Sequence, residues 1–282
     1  MVVEDPDDLA FLPALMAVVR QRIAIDFRDH RRDVLIKGVR SRLAAHGASS
    51  FDDYLRVLER DPDEIERLVE ALVLPVSSFF RERDVFDALL TTVLPEQQLR
   101  ARGAPLRVWA AGVATGEEAW TLAMLLALCR ERLPGQTMSL LASDVDERSL
   151  AVARAGRYPL RAANDVPAPL RAQFLRPQGA EIVMREDLYD LVTFARHDLM
   201  GTTLAPAEAV VASFHVIVVR NVLLYFDARL RQKTIERLSA VIKPGGALVL
   251  GGFESIPEAV AGKFHPYPGI RESLRIFQSS VE

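Results

Sequence analysis

Leu106-Arg107-Val108-Trp109-Ala110-Ala111-Gly112-Val113-Ala114-Thr115-Gly116-Glu117-Glu118 is the stretch whose reading decides the fold. Residues 106–110 are a short apolar run of the length of a buried strand. Gly112 and Gly116 punctuate the turn that follows, and residues 117–132 read as a helix. Strand, glycine turn and helix open a βαβ unit, and the chain downstream repeats the alternation. Residues 138–142 read as a second strand, ending at Ser143-Asp144, with a helix over 147–155. Residues 192–195 and 214–219 read as strands ending at Arg196-His197-Asp198 and Arg220-Asn221. A helix over 228–242, a turn at Pro244-Gly245-Gly246 and strands over 247–250 and 274–278 complete the pattern. This grammar predicts an α/β fold, a doubly wound and mostly parallel sheet with helices on both faces. Residues 157–191 interrupt it. They hold Pro159, Pro167, Pro169 and Pro177, and a strand-like run over 181–185 that turns back at Gln178-Gly179. A small antiparallel β insertion is expected there.

Working outward toward the start of the chain, the pattern becomes helical. Residues 8–20, 31–45, 51–60 and 62–73 carry apolar positions at three- and four-residue spacing. Ser49 or Ser50 can cap the third segment, and Asp61 with Pro62 can open the fourth. The expected organisation is an all-helical domain over 1–75, a linking segment over 76–104 and the sheet domain over 105–282.

Bulk properties exclude several classes. With 282 residues and a formal net charge of -3, the chain has no global basic field, and no aromatic-basic array points to nucleic acid. A single cysteine, Cys129, forbids an intrachain disulfide and fits a reducing cytoplasm. The acidic start lacks the basic and apolar regions of a signal peptide. No apolar run reaches the roughly 20 residues that span a bilayer, so any link to a membrane is expected through a partner. The five histidines are scattered, and no metal site is expected.

In a doubly wound sheet, ligands sit beyond the carboxyl ends of the strands. Here those ends are the Ala111–Glu118 turn, Asp144, Asp198 and Asn221. Gly112 and Gly116 let backbone approach a ligand closely. Asp144 can accept hydrogen bonds from a ribose diol, and Asp198 from an adenine amino group. The turn lacks G-x-G-x-x-G, and a phosphate at the start of the following helix would meet Glu117 and Glu118. A nucleoside with a cationic end and no phosphate fits better, and S-adenosylmethionine has that chemistry. Glu117 can hold its ammonium group; alternatively, both glutamates simply favour the helix N-terminus through its dipole.

The sequence resembles the CheR family of chemotaxis receptor glutamate methyltransferases over roughly residues 10–278. The resemblance is carried by Ser77-Ser78-Phe79-Phe80-Arg81-Glu82, by Trp109-Ala110-Ala111-Gly112 through Thr115-Gly116-Glu117-Glu118, by Ala142-Ser143-Asp144-Val145-Asp146, and by Arg220-Asn221-Val222-Leu223-Leu224-Tyr225-Phe226-Asp227. Leu250-Gly251-Gly252-Phe253-Glu254-Ser255 adds a fifth match. The resemblance implies a methyl transfer from S-adenosylmethionine to receptor glutamates, giving glutamate methyl esters and S-adenosylhomocysteine. It implies that residues 76–104 cover the cofactor. Arg81 and Tyr225 are similar to the family's catalytic pair, and Ser77, Arg81, Ala111, Gly112, Glu117, Asp144, Asp198, Leu199, Arg220 and Asn221 to its cofactor contacts. The chain departs from the family at Pro75, Ser77, Ala114, Ala119 and Asp198. From the residues alone, Arg81 reads more readily as a solvated charge at a helix start, and Tyr225 as a packed ring with a wet hydroxyl.

Receptor methylation helices are acidic, so the basic second helix, with Arg31, Arg32, Lys37, Arg40 and Arg42, offers a docking face; the alternative is a solvated helix. Some family members tether to a receptor's C-terminal pentapeptide through a loop of the small insertion. Here the turn at Pro177-Gln178-Gly179-Ala180 is short, so weak or no tethering is expected. Two alternatives stand beside this reading: a methyltransferase of the same fold acting on a small molecule or another protein, and a non-catalytic receptor-binding adaptor.

Overall fold

Four amphipathic helices come first in the computed structural model, which describes residues 6–23, 32–48, 50–61, 63–73, 77–132, 135–209 and 211–280. They are α1 (Pro6–Ile23), α2 (Arg32–His46), α3 (Phe51–Arg60) and α4 (Glu64–Val73). Their apolar stripes face one another: Leu12, Leu15, Met16 and Val19 on α1, Leu35, Ile36 and Val39 on α2, Tyr54 and Leu58 on α3, and Ile65, Leu68 and Leu72 on α4 are buried. Of the two capping serines, Ser50 serves α3, accepting from the Asp53 amide at 3.2 Å. Asp61 accepts from the Asp63 amide at 3.0 Å ahead of α4, whereas Ser49 and Pro62 lie outside the described residues.

The chain folds into two compact units. One comprises Met1–Pro75 with Leu224–Arg231, the other Val76–Leu223 with Gln232–Glu282. The second opens with α5 (Arg83–Ala88), a π-helical turn at Leu89–Val93, and α6 (Leu94–Ala101). The sequence pattern left this helical stretch as a linker. Its buried residues, Val85, Phe86, Leu89, Val93 and Leu94, belong to the main core. Then follow β1 (Leu106–Ala111), α7 (Glu117–Arg132), β2 (Met138–Asp144), α8 (Glu147–Ala155), β3 (Arg157–Pro159), α9 (Ala168–Phe174), β4 (Leu175–Gln178), β5 (Glu181–Met184), β6 (Val192–Arg196), β7 (Phe214–Val219), α10 (Ala228–Val241), β8 (Ile242–Leu250), β9 (Phe264–Pro266) and β10 (Ile276–Ser279).

The main sheet has the order β6-β2-β1-β7-β8-β10-β9. Strands β6, β2, β1, β7 and β8 run parallel, and β10 runs antiparallel to both β8 and β9. The chain winds from β1 outward through β2 to β6, then returns to the other side of β1 with β7. The switch point therefore lies between β1 and β7. Central strands β1 and β7 read as near-continuous apolar runs because both faces are covered. α7 is buried nearly all round, as a helix inside the core must be. Trp109 and Trp120 are fully buried, and each indole N–H finds an acceptor: Ser143 Oγ at 2.9 Å and the Ala153 carbonyl at 2.9 Å.

The insertion is a three-stranded antiparallel sheet, β3-β5-β4. β4 and β5 are joined through Gly179-Ala180, with Gln178 paired to Glu181 and Gly179 at φ +64°. One expectation is corrected. Pro244-Gly245-Gly246 is not a free turn but an irregular part of β8, where the register against β7 shifts. The strand β9 gives no usable signal, because Phe264–Pro266 contains a proline and pairs only at the sheet edge.

Candidate active site

Because β6, β2, β1 and β7 are parallel neighbours, their carboxyl ends open on one edge. The β1 turn is bound to the β2 tip: the amides of Gly112 and Val113 donate to the Ser143 carbonyl at 2.7 and 3.1 Å. Ala114, at φ +47°, aims its amide at Asp144 Oδ2 at 2.8 Å. Asp144 Oδ1 accepts from the Asp146 amide at 3.0 Å, and its carbonyl accepts from the His197 amide at 2.9 Å. Asp144 is only 6% exposed. Each carboxylate oxygen keeps acceptor capacity beyond its one amide. Burial pushes the carboxyl above its ordinary range, and the amide hydrogen bonds offset part of the rise.

Gly112 holds φ +76°, and a Cβ there would stand 2.3 Å from Val222 Cγ2, so the turns after β1 and β7 touch. The start of α7 is tied to the Ser77–Glu82 segment. Ser77 Oγ accepts from the Glu118 amide at 3.3 Å, while Phe79 and Phe80 are buried and the Phe80 amide donates to Thr121 Oγ1 at 3.2 Å. Thr115 Oγ1 donates to the half-buried Glu117 carboxylate at 2.7 Å. Burial raises the Glu117 carboxyl, with hydrogen bonds from Thr115 and Ser77 opposing. No cation pairs with Glu117 among the described residues.

Arg220, expected with Asn221 as a turn at the cofactor, directs its guanidinium inward and is 3% exposed as a residue. It donates to Glu118 Oε2 at 2.6 Å, to Glu82 Oε2 at 2.9 Å and to the Arg81 carbonyl at 2.9 Å, and lies over the Phe86 ring. Glu118, which the sequence left between ligand contact and helix-dipole partner, is therefore an ion-pair partner. Arg81 itself is exposed, and its guanidinium has no partner among the described residues. Ala111 ends β1, buried. Asp198 and Leu199 lie on the turn after β6, where Asp198 Oδ1 accepts from the Met200 amide at 2.8 Å and burial raises its carboxyl. Asn221 takes a left-handed conformation, φ +60°. Tyr225 ends a single helical turn, Leu223–Tyr225, half-buried.

Three contributors escaped the sequence reading. Tyr158 of β3 donates to the Thr115 carbonyl at 2.7 Å and meets Phe79 edge-on, so the insertion braces the glycine turn. Glu82 pairs with Arg220. Glu254 accepts from the Asn221 and Leu223 amides; its only signal was its place in the Leu250–Ser255 motif.

This edge fits S-adenosylmethionine. Glu82, Glu117, Glu118, Asp144 and Asp198 outnumber one buried cation that is already paired, which disfavours phosphate and suits a cationic nucleoside. Glu117, raised by burial and without a cation, gains from an ammonium neighbour. Fold and site together define a Rossmann-like methyltransferase.

Comparison with known proteins is consistent with that class and narrows it. Residues 75–269 match the SAM-binding domain of CheR methyltransferases, and residues 12–73 match their all-alpha domain. The chain is 32% identical to chemotaxis protein methyltransferase 2 of Pseudomonas aeruginosa over 86% of each chain. It is 32% identical to the Escherichia coli chemotaxis protein methyltransferase, over 84% of this chain and 82% of that one. It is also 31% identical, over 82% of its length, to an uncharacterized 104.1 kDa protein of Rhodobacter capsulatus, of which it spans 24%. The chain belongs to the CheR methyltransferase family. It is an S-adenosylmethionine-dependent methyltransferase.

Proposed function

We propose that this enzyme methylates glutamate side chains on the helical bundle of methyl-accepting chemotaxis receptors, in the cytoplasm, giving methyl esters and S-adenosylhomocysteine. The observation that carries the reading is the convergence of four strand tips into an acidic edge beside Arg81, an arginine with no partner among the described residues. Asp144, Glu117, Asp198 and Leu199, with the backbone of Ala111, Gly112 and the Arg220-Asn221 turn, would hold the cofactor under Ser77 and Arg81. The division of labour is a helical domain over 1–75, a covering segment over 76–104 and the methyltransferase domain over 105–282.

When bound, S-adenosylmethionine supplies a methyl carbon activated by its sulfonium. The acceptor glutamate, with an ordinary pKa of about 4.3, is ionised at neutral pH and needs no general base. What remains for the protein is positioning and charge. Arg81, exposed and uncommitted, pairs with the acceptor carboxylate. Tyr225 is the second catalytic candidate, on the strength of the family resemblance. Arg220 acts at one remove: clamped to Glu82, Glu118 and the Arg81 carbonyl, it fixes the backbone from which Arg81 projects.

The receptor-docking face on α2 rests on Lys37 and Arg40, both exposed. Arg42 is withdrawn from it, because its guanidinium holds Glu64 through two hydrogen bonds of 2.9 and 2.7 Å. Arg31 and the Arg32 side chain lie outside the described residues. The short β4–β5 connection supports weak or no pentapeptide tethering, which calorimetry with such a peptide checks: micromolar affinity contradicts it. Among the described residues, no helix is long and apolar enough to cross a membrane.

The deciding experiment transfers labelled methyl from S-adenosylmethionine to a receptor's cytoplasmic fragment. Base-labile label on the fragment is the expected result. Label appearing only on another protein or a small molecule favours the same-fold alternative, and failure to bind the cofactor favours the adaptor.

A further inference from the structure

The Leu250–Ser255 motif follows directly on the β7–β8 ladder. Its glutamate, Glu254, is 2% exposed. Glu254 closes a turn after β8, its amide donating to the Gly251 carbonyl at 2.9 Å. Its carboxylate then reaches across to the turn after β7. Oε2 accepts from the Gly251 amide at 2.6 Å and the Asn221 amide at 3.1 Å, and Oε1 accepts from the Leu223 amide at 2.7 Å. These amides lie just beyond the β7–β8 ladder, which ends at Val219 and Leu250. They have lost their strand partners and need others. The carboxylate takes over where the sheet stops.

The consequence falls on the cofactor edge. Asn221 sits at φ +60°, a left-handed conformation that asparagine tolerates better than most residues with a side chain. Gly251 packs so tightly beneath it that a Cβ would lie 2.9 Å from Asn221 N, from Asn221 Nδ2 and from Glu254 Oε2. Val222, between the two clamped amides, is the residue seated against Gly112. One buried carboxylate thereby fixes the peptide geometry of Asn221 and the fit of the β7 turn on the glycine turn of β1.

We propose that Glu254 is a positioning residue for cofactor binding, acting through Asn221 and Val222 without contacting the cofactor. The proposal rests on the methyltransferase reading, and the test separates the two. Calorimetry measures S-adenosylhomocysteine binding to the full-length wild type and to Glu254→Gln, whose amide nitrogen must face a backbone N–H. Amide NMR reports the Asn221 and Leu223 resonances, which move upfield when a charged acceptor is lost. Thermal melting and circular dichroism report the fold. The expected result is a folded variant that binds about ten-fold more weakly, with both resonances shifted. Unchanged affinity in a folded variant overturns the proposal, whether or not its melting temperature falls. If Glu254→Gln does not fold, Glu254→Asp, which keeps the charge but retracts it by one methylene, is read in the same way. A wild type that binds no S-adenosylhomocysteine overturns the methyltransferase reading itself.

Discussion

At the scale of single residues, the site separates groups that touch ligands from groups that hold them. Arg81 is the one cation of the Ser77–Glu82 segment, exposed and without a partner among the described residues. Arg81→Ala is expected to lower methyl transfer by about 10²–10³-fold, the usual cost of deleting one preorganised electrostatic contact. Circular dichroism should stay near wild type; near-normal receptor methylation refutes the role. Gly112→Ala meets both a strained φ of +76° and the Val222 methyl 2.3 Å away. Calorimetry on that variant should show cofactor affinity largely lost. The buried carboxyls of Asp144, Glu117 and Asp198 are all raised by desolvation. A ligand that needs them ionised should bind more weakly as pH falls, beginning above the ordinary carboxylate range near 4. For the protein alone the sign is opposite: a carboxyl raised on folding disfavours the folded state at high pH and is relieved as it protonates. Titrations with S-adenosylhomocysteine from pH 7 to 5, repeated with Asp144→Asn, check this. These residues were legible because strand tips are where the chain changes from apolar to polar. Glu254, Glu82 and Tyr158 were not, because their partners lie 31, 138 and 43 residues away and leave no local pattern.

At the scale of elements, α2 shows how a pattern of charge can mislead. Arg42 was grouped with the docking cations, yet it and His46 face Glu64, which is buried on α4 and also accepts from Tyr54 at 2.7 Å. Burial pushes the Glu64 carboxyl up, but the hydrogen bonds from Arg42, Tyr54 and His46 outweigh it and hold the group at about 2. Arg42→Ala removes the two-pronged cation from a buried carboxylate that keeps Tyr54, His46 and a longer Arg67 contact at 3.7 Å, and the helical unit should lose up to about 3 kcal/mol in denaturant unfolding. Because the folded value lies below the ordinary one, this network contributes fully above pH about 4.5, and the contribution is lost as pH falls toward 2. Lys37 and Arg40 keep the docking proposal: reversing Arg40 should raise the KM for receptor without changing cofactor affinity. The sequence predicted α7 and β7 with their observed limits, because an all-round apolar helix and an unbroken apolar strand have one reading each. It left α5 and α6 as linker. Polar Arg83, Asp84 and Asp87, together with the π turn, blur a 3.6-residue period that packing nonetheless enforces.

For the whole molecule, the chain divides into two compact units. The candidate cofactor-contacting residues all belong to the sheet unit. S-adenosylhomocysteine at a hundred times its Kd should stabilise what it binds by about 2.7 kcal/mol. Calorimetric melting should show that gain preserved in Arg42→Ala, whose defect lies in the helical unit. The sequence by itself determined the fold class, the acidic, phosphate-averse strand tips and the family, because each is written in short runs of neighbouring residues. Only the tertiary structure decided which charges remain available. Arg220, Arg42 and Glu118 read from the chain as surface or ligand groups, and each is consumed by a partner far along it. The physical reason is that a buried charge must be paired, and pairing depends on which distant elements the core brings together, something local composition does not encode.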